Sequence, residues 1–171
     1  DGVDSAAGSA PRLMGALAQR LASVPRVRLG CVVGRRDGCD RSGDLATTRR
    51  FVATLTNSDL PRFSPDTLAA HVAVAHEADF PGHLWAGGRG IAPGESVLLT
   101  NHRADRTEQL ARVLAESQPV YGLIELGAAL AGVFFPVRPL ARGLASELRD
   151  RGLRSLRIAE RCKFPHVTWF L

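Results

Sequence analysis

The chain has 171 residues, enough for one domain with a sizeable core, and 45% hydrophobic against 23% charged residues argues against disorder. The formal net charge is +5, but the basic residues are scattered and only 6% are aromatic, so the basic–aromatic interleaving of single-strand nucleic-acid binders is missing. The longest apolar stretch, residues 121–137, is interrupted by Glu125 and falls short of the ~20 residues a bilayer span requires.

In chain order, Ser9 is placed to cap a helix that carries Leu13, Leu17 and Leu21 on one stripe. Residues 27–33 are apolar and β-branched, the pattern of a buried strand, and lead into a glycine-punctuated loop over 34–43. A helix is expected over 44–55, and Ser64-Pro65-Asp66 opens another toward His76. Residues 77–95 hold five glycines and two prolines and read as loop. A strand over 96–100 precedes a helix running to about Glu116. Strands follow near 120–126 and 132–137, then a helix at about 140–151 and strands at 153–158 and 166–171. Strands alternating with helices predict an α/β fold, a mostly parallel sheet flanked by helices, whose ligands sit beyond the carboxyl ends of the strands.

Cys31, Cys39 and Cys162 are odd in number and have no CxxC spacing, which suggests neither a disulfide framework nor a zinc site and fits a reducing cytoplasm. The five histidines include no HExxH, and His71 and His76 stand five apart, one more than a helix needs to aim both at one metal. Of the 22 basic residues all but Lys163 are arginine. That is a coding bias in its simplest reading, yet a compact ammonium does a different job from a planar guanidinium. The chain opens on Asp1 and closes on an apolar run over 167–171 with no polar exit, as expected of a fragment of a longer protein.

Residues 101–106, Asn-His-Arg-Ala-Asp-Arg, are the most informative stretch. At three- and four-residue spacing Arg103, Arg106, Leu110 and Val113 share one helix face, which puts two arginines at a helix start, where the dipole disfavours cations. A bound anion resolves the conflict, and phosphate is the first candidate; pairing with Asp105 and Glu108 is the plain alternative. The loop over 34–43 adds Arg35, Arg36 and Arg41 with Asp37 and Asp40, either a second set of anion ligands or a self-neutralising charge cluster.

On these residues the chain resembles the cofactor-independent phosphoglycerate mutases, specifically their phosphotransferase domain. Residues 101–106 are similar to the family's Asn-Phe-Arg-x-Asp-Arg motif. Gly152-Leu-Arg-Ser-Leu-Arg-Ile-Ala-Glu160, followed by Lys163-Phe-Pro-His-Val-Thr-Trp-Phe170, resembles its Gln-Leu-Arg-Ile-Ala-Glu…Lys-Tyr-x-His-Val-Thr stretch. Gly34-Arg35 with Asp40-Arg41 resembles its Gly-Arg…Asp-Arg loop, Asp1-Gly-Val-Asp4 its Asp-Gly-Arg-Asp, and Glu77-Ala-Asp-Phe80 its Asp-Glu-Phe, all in family order.

The resemblance implies that Arg35, Arg41, Arg103 and Arg106 hold the substrate's phosphate and carboxylate. It implies that Asp4 binds the glycerate hydroxyls and assists proton transfer, which makes it the candidate catalytic residue here. Lys163 would reach the phosphoryl group in transit between domains. The implied parent is an isomerase of glycolysis, a cytoplasmic monomer interconverting 3-phosphoglycerate and 2-phosphoglycerate through a phosphoserine. Two Mn2+ (or Mg2+) ions and that serine belong to a metal-binding, alkaline-phosphatase-like domain, so this chain binds no metal and alone is inactive. Residues 1–145 would be the phosphotransferase (substrate-binding) domain, incomplete at its N-terminus, and 146–171 the hinge and first strands of the metal-binding domain, truncated. The chain departs from the family at Val3, which stands where an arginine clamp is usual, at His102, at Gly38-Cys39 and at Arg36-Asp37. These departures keep a second reading in play, a degenerate, non-catalytic module that binds a phosphorylated acid.

Overall fold

The structure is a computed structural model and describes residues 3–39, 42–127, 130–136, 138 and 142–168. The chain divides into two compact units, Asp1–Pro136 and Val137–Leu171.

In the larger unit, helix α1 (Ala10–Ala22) starts where expected but is capped differently. Ser9 is already helical (φ −80°, ψ −20°), and its side chain makes no capping bond. The buried Glu77 instead accepts the Ala10 N–H at 3.1 Å, placing a carboxylate at the positive end of the helix. Nor do Leu13 and Leu17 face inward: they are 48% and 40% exposed, while Ala10 and Met14 pack on the core. The expected strand over 27–33 shrinks to β1 (Cys31–Val32), the two residues that pair with a neighbouring strand, and Val27 is exposed.

A short helical turn, α2 (Arg35–Gly38), occupies the expected loop. Helix α3 (Leu45–Thr56) is capped by Asp44, whose carboxylate accepts the Ala46 and Thr47 N–H groups. Strand β2 (Arg62–Phe63) was not legible in advance. Helix α4 (Pro65–Val72) opens with proline and a reciprocal Ser64–Thr67 capping box, and stops four residues short of His76. The stretch read as loop contains a 3-10 turn (Glu77–Asp79) and β3 (His83–Trp85), too short to show a period. Beyond it lie β4 (Val97–Leu99), α5 (Ala104–Leu114), β5 (Val120–Gly122) and β6 (Gly132–Val133).

Among the described residues the strands form two three-stranded sheets, β1-β3-β2 and β4-β5-β6, in place of one. The second sheet is wholly parallel, with Val97 beside Val120 and Tyr121 beside Gly132. The first has one parallel pair, β2–β3, and one antiparallel pair, β1–β3. Each sheet has its own core. Ala111, Leu114, Val120 and Leu126 centre one, joined by Val52 and Leu55 of α3 and Val97 and Leu99 of β4. Phe63, Leu68 and Phe80 centre the other, with Phe63 edge-on to Phe80 at 5.8 Å and tilted against Trp85 at 4.8 Å. Helix α3 reaches both regions, packing on α2 and on α5.

In the smaller unit, α6 (Leu144–Asp150) is clamped by Arg142, which pairs with Glu147 at 2.7 Å and Asp150 at 3.0 Å. The strand expected over 153–158 is absent: residues 153–160 are neither helix nor strand, and Leu156 and Ile158 are more than four-fifths exposed. The strand expected over 166–171 is also corrected, since α7 (Phe164–Thr168) covers its start and 169–171 lie outside the described residues. An extended segment becomes a strand only with a partner to complete its ladder, and the described residues of this unit supply none.

Candidate functional site

Gly34 fixes the geometry. Its N–H donates to the Phe80 carbonyl at 2.7 Å, and a Cβ here would lie 2.4 Å from the Ala78 carbonyl oxygen. Only glycine therefore lets the chain press the start of α2 against the Glu77–Asp79 turn. That contact aims two consecutive arginines at different acids. Arg35, with a side chain 12% exposed, pairs with Asp4 at 2.8 Å, and Arg36 pairs with Asp79 at 2.7 Å.

An open cleft of about 440 Å³ lies alongside, lined by Val3, Arg35, Arg36, Cys39 and Ala78, with Asp37, Thr47 and Arg50 completing the wall. Arg50 donates to the Thr47 hydroxyl at 3.0 Å and stands 3.6 Å from Asp37. Each of the three guanidiniums in the wall stands beside a carboxylate, Asp4, Asp79 or Asp37, so the cleft is rich in arginine with its charges paired. Arg106 joins at the edge, its Nη1 lying 3.8 Å from the Cys39 sulfur. The structure thus brings together Asp4, Arg35 and, through Cys39, Arg106. Arg50 was missed by sequence reasoning, because on α3 it reads as one more exposed helix arginine. The Asp44–Thr47–Arg50 spacing, one residue per turn, was the available clue.

Arg103 sits differently from the expected shared face. It is the N-cap of α5 (φ −86°, ψ 97°), not a helical residue, and its side chain is exposed. The inward side of α5 carries Thr107, Ala111, Val113 and Leu114, with Leu110 packed on the same core as expected, while Arg103 lies outside the helix. Thr107 donates its hydroxyl to the Arg103 carbonyl at 2.7 Å, and the Asn101 side chain accepts the Arg103 N–H at 3.0 Å. The plain alternative of local pairing does not claim Glu108, which binds Arg112 at 2.9 Å; the Asp105 side chain lies outside those described. Arg41 and Asp40 also lie outside the described residues. Lys163 belongs to the smaller unit and pairs there with Glu160.

His71 Nε2 lies 3.2 Å from the His76 carbonyl oxygen, and His76 Nδ1 accepts the Ala78 N–H, so both imidazoles serve the chain around the 3-10 turn. Among the described residues no group of three His, Cys, Asp or Glu could hold a metal ion, and no helix is long and apolar enough to cross a membrane. Cys31 and Cys39 are free thiols, and burial pushes the Cys31 thiol up.

Residues 1–125 match the family described as BPG-independent PGAM N-terminus. Among curated proteins, the chain is 33% identical over 187 residues to a 2,3-bisphosphoglycerate-independent phosphoglycerate mutase of Streptomyces coelicolor, covering 100% of this chain and 35% of that protein. It is 30% identical to the enzyme of the same name from Rhodopseudomonas palustris, covering 86% of this chain and 33% of that one. The chain therefore spans roughly a third of the length of the curated relatives it matches. A crystal structure of Leishmania mexicana phosphoglycerate mutase, determined at low cobalt concentration, superposes with a TM-score of 0.72 at 22% identity, covering 99% of this chain and 37% of that one. That likeness speaks for the fold: mixed α/β with helices and parallel sheet. With the family's description matched over most of the chain, this protein belongs to the N-terminal-domain family of the BPG-independent phosphoglycerate mutases.

Proposed function

We propose that the chain is the substrate-holding part of a phosphoglycerate mutase that interconverts 3-phosphoglycerate and 2-phosphoglycerate in glycolysis. The observation that carries this reading is the arginine-lined cleft walled by Arg35, Arg36 and Arg50, with Arg106 beside Cys39. Of these, Arg35 and Arg106 stand at positions that match the motifs resembling the family's, while Arg36 and Arg50 do not. Arg35, Arg41, Arg103 and Arg106 hold the phosphate and carboxylate, since planar forks suit bidentate oxyanions. Asp4, now tied to Arg35, exchanges that partner for the glycerate hydroxyls when substrate enters. Lys163, on a stem that can move, follows the phosphoryl group.

The chemical step belongs to segments outside this chain. A metal-binding, phosphatase-like domain supplies the serine and two divalent ions, manganese or magnesium, which activate the nucleophile and balance charge. We assign residues 1–145 to the transferase domain and 146–171 to the hinge and the beginning of that second domain. The parent is read as a cytoplasmic monomer whose partner is its small-molecule substrate, not nucleic acid or membrane. Val3 on the cleft wall favours a second reading, a phospho-acid-binding module without catalysis, because it removes a clamp on the substrate.

Calorimetric titration with 3-phosphoglycerate tests the site. Arg106→Ala and Arg35→Ala are each expected to weaken binding by ~1.5–3 kcal/mol, the range for hydrogen bonds to charged groups. Binding unchanged in both would remove the site. Val3→Arg should strengthen binding; a loss would mean the cleft has been rebuilt around valine.

A further inference from the structure

A second cleft of about 440 Å³ shares no lining residue with the first. Two segments form it. The chain entering β1 brings Arg26, Arg28 and Gly30, and the turn after β3 brings Gly87, Gly88 and Arg89. Gly88 holds them together, since a Cβ there would lie 2.4 Å from the Gly30 carbonyl oxygen and 2.6 Å from that of Leu29. Gly87 turns the chain at φ +75°, and Trp85 N–H donates to the Gly30 carbonyl at 2.9 Å. Gly90, in turn, abuts the Thr56–Asn57 backbone at the end of α3.

The charges of this cleft are unbalanced. Arg89 is held by Glu95 through both Nη atoms, and Glu95 also accepts the Ala92 N–H at 2.8 Å. The Arg89 hydrogen bond, then the Ala92 N–H, pull the Glu95 carboxyl down to about 2, so this single acid is ionised and committed. Arg26 and Arg28 are exposed and have no hydrogen-bond or ion-pair partner for their guanidiniums among the described residues. Arg62 adds a further cation beside the turn by donating to the Gly88 carbonyl at 2.8 Å. Arg26 also holds φ +65°, the only non-glycine residue among those described with a positive φ.

We propose that this cleft is a second anion-binding site, for a small molecule carrying two phosphoryl groups. Two unpaired guanidiniums offer forks to tetrahedral oxyanions. The bare glycine turn lets backbone N–H groups approach a phosphate without interference from a Cβ. The N–H groups of Gly87, Arg89 and Gly90 have no acceptor among the described residues. The volume fits a small ligand, and Leu29 and Ile91 give the wall apolar patches in place of the stacking aromatics a nucleic-acid strand would use. The site stands independently of the phosphoglycerate reading.

Inorganic pyrophosphate, titrated calorimetrically into the full chain, is the probe. The double variant Arg26→Gly, Arg28→Gln removes both free cations, and glycine keeps the positive φ, so the turn is preserved. Circular dichroism verifies the fold. Affinity should fall at least tenfold in this variant, and binding should persist when Arg35→Ala and Arg106→Ala disable the first cleft. Undiminished affinity in the Arg26/Arg28 variant would overturn the proposal, as would complete loss of binding in the Arg35/Arg106 variant. A loss of the same size on replacing Arg154 and Arg161 by glutamine, in the other unit, would overturn it too, by showing a bulk-charge effect.

Discussion

Gly34 shows how one missing methyl group sets a site. The space a Cβ would need is filled by the Ala78 carbonyl and the Phe80 amide, both backbone atoms that cannot swing aside. Gly34→Ala must therefore either push α2 off the Glu77–Asp79 turn or distort the turn. Overpacking of this kind costs ~1–3 kcal/mol, measurable as a lower urea midpoint at unchanged slope. A variant as stable as the parent would show that the α2 contact is dispensable. The same displacement would loosen Arg36 from Asp79, so the anion affinity of the first cleft should fall along with stability. Sequence alone marked Gly34 as the first of the glycines that punctuate the loop over 34–43. Its real role is close approach, which depends on a neighbour more than forty residues away.

At the scale of elements, α3 depends on its cap. The Thr47 hydroxyl and the Ala46 N–H, in that order, hold the Asp44 carboxyl below the usual carboxylate range. A folded value below the unfolded one contributes stability above the unfolded pKa of ~4, and that contribution disappears as pH falls through the folded value. Urea unfolding from pH 7 to pH 2 should show wild type losing stability over Asp44→Asn on the acid side. Asparagine caps almost as well but does not titrate. Parallel curves at all pH values would mean that Asp44 is not ionised as a cap. Helices α3, α4 and α5 were legible because their caps, Asp44, Ser64-Pro65 and the 101–103 entry, are local in sequence. Strands of two or three residues such as β2 and β3 carry no period, and their pairing partners lie far along the chain. The candidate site was legible to the same degree. Arg35, Arg106 and Asp4 sit in recognisable stretches, whereas Arg50 and Cys39 become members of it only when α2 and α3 pack.

At the scale of the whole molecule, the two units differ in how they are held. The larger has two apolar cores with residues such as Leu84, Leu114 and Ala111 fully buried. The smaller relies on surface ion pairs around Arg142, and its 153–160 segment lacks regular hydrogen bonding. Hydrogen–deuterium exchange should therefore find the 153–160 amides fully exchanged at the earliest times, while α5 and β5 remain protected. Protection across 153–160 would reveal a partner strand supplied from elsewhere, such as a further copy of the chain.

Lys163, paired with Glu160 on the smaller unit, has a practical consequence. As the chain's sole side-chain amine, it is the one internal position open to acylating reagents, lysine acetylation or amine-directed cross-linking. A succinimidyl ester would thus attach a fluorophore or tether at one known point in the C-terminal unit, with the α-amine as its only other amine target, leaving every arginine of both clefts unmodified.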